Sequence, residues 1–415
     1  MSDAATTGIP LPAGFRLVEG GVTAPRGFRA GAIYCGIKTD TTAHDFALLV
    51  ADAPCAAAAT FTTSRTAAHP VQVCQEHLAA NGSRAQAVVV NSSNANCSNG
   101  PQGLVDARRT ADLVGAKLGI DPQLVMVSST GIIGRPLPMD KIEHGVELVE
   151  VSPTGGPDFS GAIITTDTRV KITAVEFELG GKTVRMGGTT KGAGMIYPNM
   201  ATMLCYITTD AAVDGDFLRE ALHAAVNDSF NMICVDGDMS TNDTVLCLAS
   251  GAAGNAPAQG GTPDGERFAV ALRYVAQYLA REIARDGEGA TKLMTVVVHG
   301  AASDADARRA ARAITASSIW KCAVAGGDAN WGRILSTLGA SGAAFDHNQL
   351  EIGINGLRLV AQGHATDYDP AKAEELMAET GIDVEVHLNA GSHSATAWGC
   401  DLTHGYVDEN ATYFR

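Results

Sequence analysis

The 415-residue sequence has a formal net charge of −15, with 46% hydrophobic and 18% charged side chains. That length allows a large core and two or three structural units. An acidic balance without a Lys/Arg block argues against nucleic acid and anionic membranes as partners, while leaving room for a local basic pocket that takes a carboxylate.

Glycine is abundant, at 46 residues, and aromatic residues make up only 5%, which suits tight turns and closely packed small side chains. The nine cysteines form no CxxC pair and read as reduced, buried cytosolic thiols. The eleven histidines form no HExxH and do not sit beside paired cysteines, so no metal centre is expected. The N-terminal stretch lacks a basic region followed by an apolar one, and no window approaches the roughly 18 apolar residues of a membrane span. A cytoplasmic location is expected.

In chain order, Arg29–Ile37 reads as a small-residue strand, His44–Ala51 as a second and Ala57–Thr63 as a third. Ala85–Val90 is a continuous apolar run, hence a strand buried on both faces. It ends in the turn-rich loop Asn91–Cys97, before a helix near Leu104–Leu118. Gln123–Ser129 is again a strand, and it delivers Thr130-Gly131 to its end. Phe159–Thr165 leads into Thr165-Thr166-Asp167-Thr168. Two runs, Thr173–Leu179 and Lys182–Gly187, flank Gly180-Gly181, a type I′ hairpin signal.

Apolar residues at helical spacing mark Asp216–Val226. The acidic run Asp236–Asp243 lacks the spacing and terminal Glu of an EF-hand and reads as a structural turn. Gly251–Gly265, rich in Gly, Ala and Pro, reads as a mobile insertion. Long helices follow over Glu266–Ala284 and Asp304–Ser317, separated by the strand Leu293–Val298. Asn355-Gly356 joins another hairpin, Pro370–Glu379 is helical, and strands Asp383–Leu388 and Ser394–Leu402 finish the pattern. Strands and helices cluster without strict alternation, which favours an α+β fold. No 20–50-residue repeat, GxGxxG or GxxxxGK[ST] is present, so neither a dinucleotide fold nor a P-loop is indicated.

One central stretch, Lys191–Asp210 (KGAGMIYPNMATMLCYITTD), organises the rest. Gly192, Gly194 and Pro198 break regular structure before Ala201-Thr202 opens an apolar, strand-like run. A small residue and a threonine so placed are what a self-made N-terminal nucleophile needs. The Thr202 hydroxyl attacks the Ala201 carbonyl and forms an ester as the peptide C–N bond breaks, which frees the α-amine (pKa near ~8) that then serves as the base; hydrolysis of the ester releases the hydroxyl.

The run KGAGMIYPNMATML resembles the cleavage segment of the ArgJ family, the ornithine (glutamate N-) acetyltransferases. The loop VDGDMSTNDT, the turn DGEGATK and GGDANWGRIL at Gly326–Leu335 match in the same order, so the resemblance spans nearly the whole chain. It implies a layered α/β/β/α sandwich of the ArgJ/DmpA type with a smaller C-terminal α/β part. It also implies cleavage into residues 1–201 (α) and 202–415 (β), assembled as an α2β2 heterotetramer. By the same resemblance Thr202 is the nucleophile that takes acetyl from N2-acetyl-L-ornithine and passes it to L-glutamate by ping-pong kinetics. No cofactor is implied, though acetyl-CoA serves as a further donor in some family members. Thr130 and Gly131 match the oxyanion hole, and Thr165, Lys191, Thr202, Glu288 and Asn410 match substrate contacts. The cation of Lys191 suits a carboxylate, and Glu288, between two glycines that would expose it, suits the ornithine ammonium. Arg415 stands where the family ends in Ser or Thr, a departure that puts the last contact in doubt. Two alternatives share parts of this pattern: an N-terminal-nucleophile aminopeptidase or amidase, and an uncleaved, non-catalytic binding protein.

Overall fold

A computed structural model describes residues 8–39, 41–197 and 203–411. The calls on Ala201, Thr202 and Arg415 lie outside the described residues. In chain order the first strands are β1 (Arg16–Leu17), β2 (Phe28–Ile33), β3 (Phe46–Phe61), β4 (Arg84–Asn91) and β5 (Val125–Ser129). They are followed by β6 (Lys171–Leu179), β7 (Lys182–Lys191), β8 (Leu204–Thr209), β9 (Ile233–Cys234) and β10 (Thr244–Ala249). The last are β11 (Leu293–Ala301), β12 (Glu351–Ile354), β13 (Leu357–Ala361), β14 (His364–Ala365), β15 (Gly381–His387) and β16 (His393–Cys400). The helices are α1 (His69–Ala80), α2 (Gln102–Leu118), α3 (Met139–Leu148), α4 (Gly156–Ala162), α5 (Gly215–Asn227) and α6 (Pro263–Arg285). Five more follow: α7 (Asp304–Ala316), α8 (Ser318–Gly326), α9 (Trp331–Ala340), α10 (Pro370–Met377) and α11 (His404–Asn410).

The described residues fall into two compact units. One comprises those of Met1–Gly192, Asn199–Asn227 and Met239–Leu279; the other those of Ala193–Pro198, Asp228–Asp238 and Ala280–Arg415. Each has its own sheet with helices, so the α+β class and the smaller C-terminal α/β part are both borne out.

In the first unit the strands run β1-β6-β7-β8-β10-β3-β4-β5, with β2 on the early half of β3. β3 is one 16-residue strand, where the sequence suggested two. Asp52-Ala53-Pro54 lies between those two expected strands, and a register shift against β4 between Val50 and Cys55 absorbs it. A proline, which cannot donate to a ladder, is tolerated at such an irregularity. The early half of β3 then pairs β2 and the later half pairs β10. Alternation explains the apolar run in β4: Val88 and Val90 join the core on one face, Ala87 and Val89 the core on the other. Helices α1, α2 and α3 supply Val73, Ala107, Ala111, Val114, Ile142 and Val146 to that second core.

β2 ends earlier than expected because the Asp45 carboxylate takes the N–H groups of Cys35, Ile37 and Lys38 out of any ladder. Both glycines of the expected hairpin have positive φ (54° and 72°), as a type I′ turn between β6 and β7 requires. The 251–265 segment is anchored, contrary to expectation. The Asn255 amide accepts from the Ala212 N–H and donates to the Ala212 carbonyl, and Ala258 is buried.

In the second unit the order is β14-β13-β12-β15-β11-β16-β9. Helix α7 starts at Ser303, whose side chain accepts from the Asp306 N–H. It turns Ala307, Ala310, Ala311 and Ile314 inward at helical spacing onto β11 and β16. Eight cysteines are buried and Cys322 on α8 is exposed. No helix among the described residues is long and apolar enough to cross a membrane.

Candidate active site

Three of the expected site residues of the first unit converge. Lys191 is the last residue of β7 and is only 8% exposed. Its Nζ donates to Thr130 Oγ1 at 3.1 Å and to Thr165 Oγ1 at 2.9 Å. The lysine comes from the sheet, Thr130 from the end of β5, and Thr165 from the loop after α4.

Beside them lies Asp167, which sequence reasoning named only as part of the TTDT run. Its carboxylate accepts from Lys171 Nζ at 2.6 Å, from the Gly192 N–H at 2.6 Å and from the Thr165 N–H at 3.1 Å. Burial alone would raise the pKa of this carboxyl. The charges of Lys171 and Lys191, with the Gly192 N–H, outweigh it and hold Asp167 below the usual aspartate value. The Asp167 carboxylate thus lies in the field of both Lys171 and Lys191.

Gly131 adopts a φ of 131°, and a Cβ there would fall 2.3 Å from the Ser93 carbonyl carbon and 2.6 Å from the Asn94 nitrogen. Only glycine fits. The asparagine-rich loop had no assigned chemistry; the structure makes it the scaffold for this turn. The Thr130 N–H donates to the Asn91 carbonyl at 3.0 Å, so Thr130 has its hydroxyl to offer a ligand. Asn91 Oδ1 accepts from Ser129 Oγ at 2.6 Å, and Asn242 Nδ2 donates to the carbonyls of Ala95 and Ser129. Among the described residues, none accepts from the Gly131 N–H.

In the second unit Glu288 and Asn410 meet: Asn410 Nδ2, at the end of α11, donates to Glu288 Oε2 at 2.8 Å. Glu288 is 8% exposed, which corrects the expectation that its flanking glycines expose it. The glycines allow close packing instead: a Cβ on Gly287 would lie 2.6 Å from Cys400 Sγ, and one on Gly289 2.3 Å from the Tyr406 nitrogen. Gly194 approaches the same carboxylate, since its Cβ would sit 2.2 Å from Glu288 Oε2. The Glu288 N–H is fixed on the Ala193 carbonyl at 2.9 Å.

Asp236, read from sequence as part of a structural turn, also has a wider role. Its carboxylate accepts from the N–H groups of Met195, Ile196 and Asp238, pinning the stretch that leads toward Ala201-Thr202. Burial nevertheless pushes its carboxyl above the usual range. The neighbouring Tyr406 phenol is pushed up first by its own burial and then by Asp236. Among the described residues no cluster of three or more His, Cys, Asp or Glu could hold a metal ion.

Comparison with known proteins places these residues in a family context. Residues 29–414 match the ArgJ family. The arginine biosynthesis bifunctional protein ArgJ of Symbiobacterium thermophilum is 49% identical over 399 residues, covering 95% of this chain and 99% of that protein. The protein of the same name from Bacillus subtilis is 43% identical over 396 residues, covering 95% and 97%. Among solved structures, the ornithine acetyltransferase of Mycobacterium tuberculosis complexed with ornithine is 37% identical. It covers 46% of this chain and 99% of its own, with a TM-score of 0.40.

Proposed function

The chain belongs to the ArgJ family of acyltransferases in arginine biosynthesis, and from that premise we propose that it moves acetyl from N2-acetyl-L-ornithine to L-glutamate through an acetyl-Thr202 ester. The observation that carries this reading is the family match across residues 29–414, within which the expected nucleophile, donor and acid motifs all fall in order.

The chain first cuts itself between Ala201 and Thr202. Thr202 Oγ attacks the Ala201 carbonyl carbon, the peptide C–N bond breaks, and water hydrolyses the resulting ester. The free Thr202 amine is then the base. In the first half-reaction it takes the hydroxyl proton as Oγ attacks the acetyl carbonyl, and it returns that proton to the ornithine nitrogen as the C–N bond breaks. In the second half-reaction the glutamate amine attacks the ester, its proton passes to the Thr202 amine, and N-acetylglutamate leaves as the hydroxyl re-forms.

Both tetrahedral intermediates put negative charge on the former acetyl oxygen. The Gly131 N–H and the Thr130 hydroxyl are the donors assigned to it. Thr165 recognises the amino-acid end of the substrate, and Glu288 and Asn410 the ornithine ammonium. Ornithine is the ligand of the related Mycobacterium tuberculosis protein. No cofactor enters this chemistry, and acetyl-CoA is a possible second donor. Residues 1–201 and 202–415 are the two chains of a cytoplasmic α2β2 assembly.

Intact mass of the wild-type protein beside Thr202→Ala tests the first step. Two fragments for wild type and a whole mutant chain are expected; a single full-length chain for both would remove the proposed base. Transfer to glutamate separates this reading from a hydrolytic N-terminal-nucleophile aminopeptidase, whose acyl acceptor is water.

A further inference from the structure

We propose that Lys191 is a positioning residue for the oxyanion donors, acting through the hydroxyl of Thr130. The inference rests on the reading that Thr130 and Gly131 bind the oxyanion. Its basis is the direction of two hydrogen bonds. An ammonium group only donates, so at 3.1 and 2.9 Å from Lys191 Nζ the hydroxyl oxygens of Thr130 and Thr165 must accept. Each hydroxyl has a single proton, and accepting from Lys191 turns that proton away from the ammonium. Thr130 thereby meets an incoming carbonyl oxygen as a donor. A cation bonded to its own oxygen polarises it further, since a hydrogen bond donated to a hydroxyl strengthens the one it donates in turn.

The setting supports this role over simple capture of a substrate carboxylate. Lys191 is nearly buried at the end of β7, where it pairs with Leu204 of β8, and its ammonium is engaged by side chains of the protein itself. The Asp167 carboxylate, kept ionised by Lys171, Lys191 and the Gly192 N–H, is the negative charge that offsets this buried ammonium. The lysine, two threonines and aspartate thus form one hydrogen-bonded unit whose outward-facing element is a hydroxyl proton.

Steady-state kinetics of acetyl transfer from acetylornithine to glutamate, on Lys191→Met, Thr130→Ala and the double variant, test the proposal. Lys191→Met is expected to lower kcat on the order of 10- to 100-fold, with KM for acetylornithine changed by less than ~3-fold. Thr130→Ala is expected to act the same way, and the double variant to fall within ~3-fold of the worse single one. A rise in KM with kcat preserved in Lys191→Met would overturn the proposal, because it marks a direct substrate contact. Multiplied losses in the double variant would overturn it too. If Lys191→Met does not fold or mature, Lys191→Gln, which keeps a neutral donor at similar reach, is read by the same kcat-against-KM split. An unimpaired Thr130→Ala would refute the oxyanion assignment itself and the inference with it. A defective Thr130→Ala beside a KM-only Lys191 variant refutes the inference alone.

Discussion

Asn410 donates its amide to the Glu288 carboxylate at 2.8 Å, so a residue five positions from the end of the chain orients an acid 122 positions before it. Under the proposed function this acid meets the ammonium of ornithine. Glu288→Gln is then expected to raise KM for acetylornithine about 10- to 100-fold, the loss of one charge-assisted hydrogen bond. KM for glutamate, which carries no side-chain ammonium, should move far less. Initial-rate kinetics with each substrate varied in turn check this, and equal effects on both would dissociate Glu288 from ornithine.

Gly131→Ala is expected to destabilise the protein by about 2 kcal/mol or more, since it forces a Cβ into the backbone of Ser93 and Asn94 at a φ few side chains adopt. Because that contact also fixes Thr130, acetyl transfer should be lost even where the variant remains folded. Thermal unfolding and activity measured together check both effects.

Asp167 gives the pH dependence a defined sign. Its carboxyl lies below the ordinary aspartate value in the folded protein, so folding favours the ionised form. The stability it contributes is complete above about pH 4, the unfolded value, and is lost as pH falls through the lower folded value. Acid titration of the wild type followed by circular dichroism should show this limb. Asp167→Asn should flatten it, and at neutral pH should cost about 3–5 kcal/mol by removing the anion beside the fully buried Lys171.

Thiol chemistry offers a check on the fold. Burial pushes Cys35, Cys55, Cys74, Cys234 and Cys247 up to about 12, whereas Cys322 is exposed. A thiol-specific reagent near pH 8 should label one cysteine promptly in the native protein and all nine in denaturant. Prompt labelling of several would contradict the burial described for β3, β10 and β16.

What was legible in the sequence follows from how local each signal is. The Gly180-Gly181 and Asn355-Gly356 turns are set by four residues each, and both form with positive φ as expected. The strand β4 is readable because a two-faced core demands an unbroken apolar run. The continuity of β3 is not, because it depends on a register shift against another strand that no window of its own sequence contains. Helices α1, α3, α4, α8, α9 and α11 pass unnoticed because each runs only 7 to 12 residues, too short for a helical period to stand out. In the site, the family resemblance pointed to Thr130, Lys191 and Glu288. Asp167 and Asp236 were missed in their real roles because what distinguishes them is the set of N–H groups and ammoniums folded around them, from positions up to 41 residues away.

The antiparallel pairing of β7 with β8 has a consequence for the severed protein. The two strands flank the proposed cut in sequence, and six residue pairs, from Met186–Thr209 to Lys191–Leu204, hold them side by side in the interior of the sheet. A nick between them leaves the ladder intact, so the two fragments should copurify without a covalent link. Refolding is another matter. In the uncut chain β8 finds β7 as a tethered neighbour, at an effective concentration on the order of millimolar. After the cut, the same strand must be found by diffusion. Recovery from denaturant should therefore fall with dilution far more steeply for the wild type than for Thr202→Ala, making maturation a one-way passage from a chain that can rebuild itself to a pair that needs its partner close by.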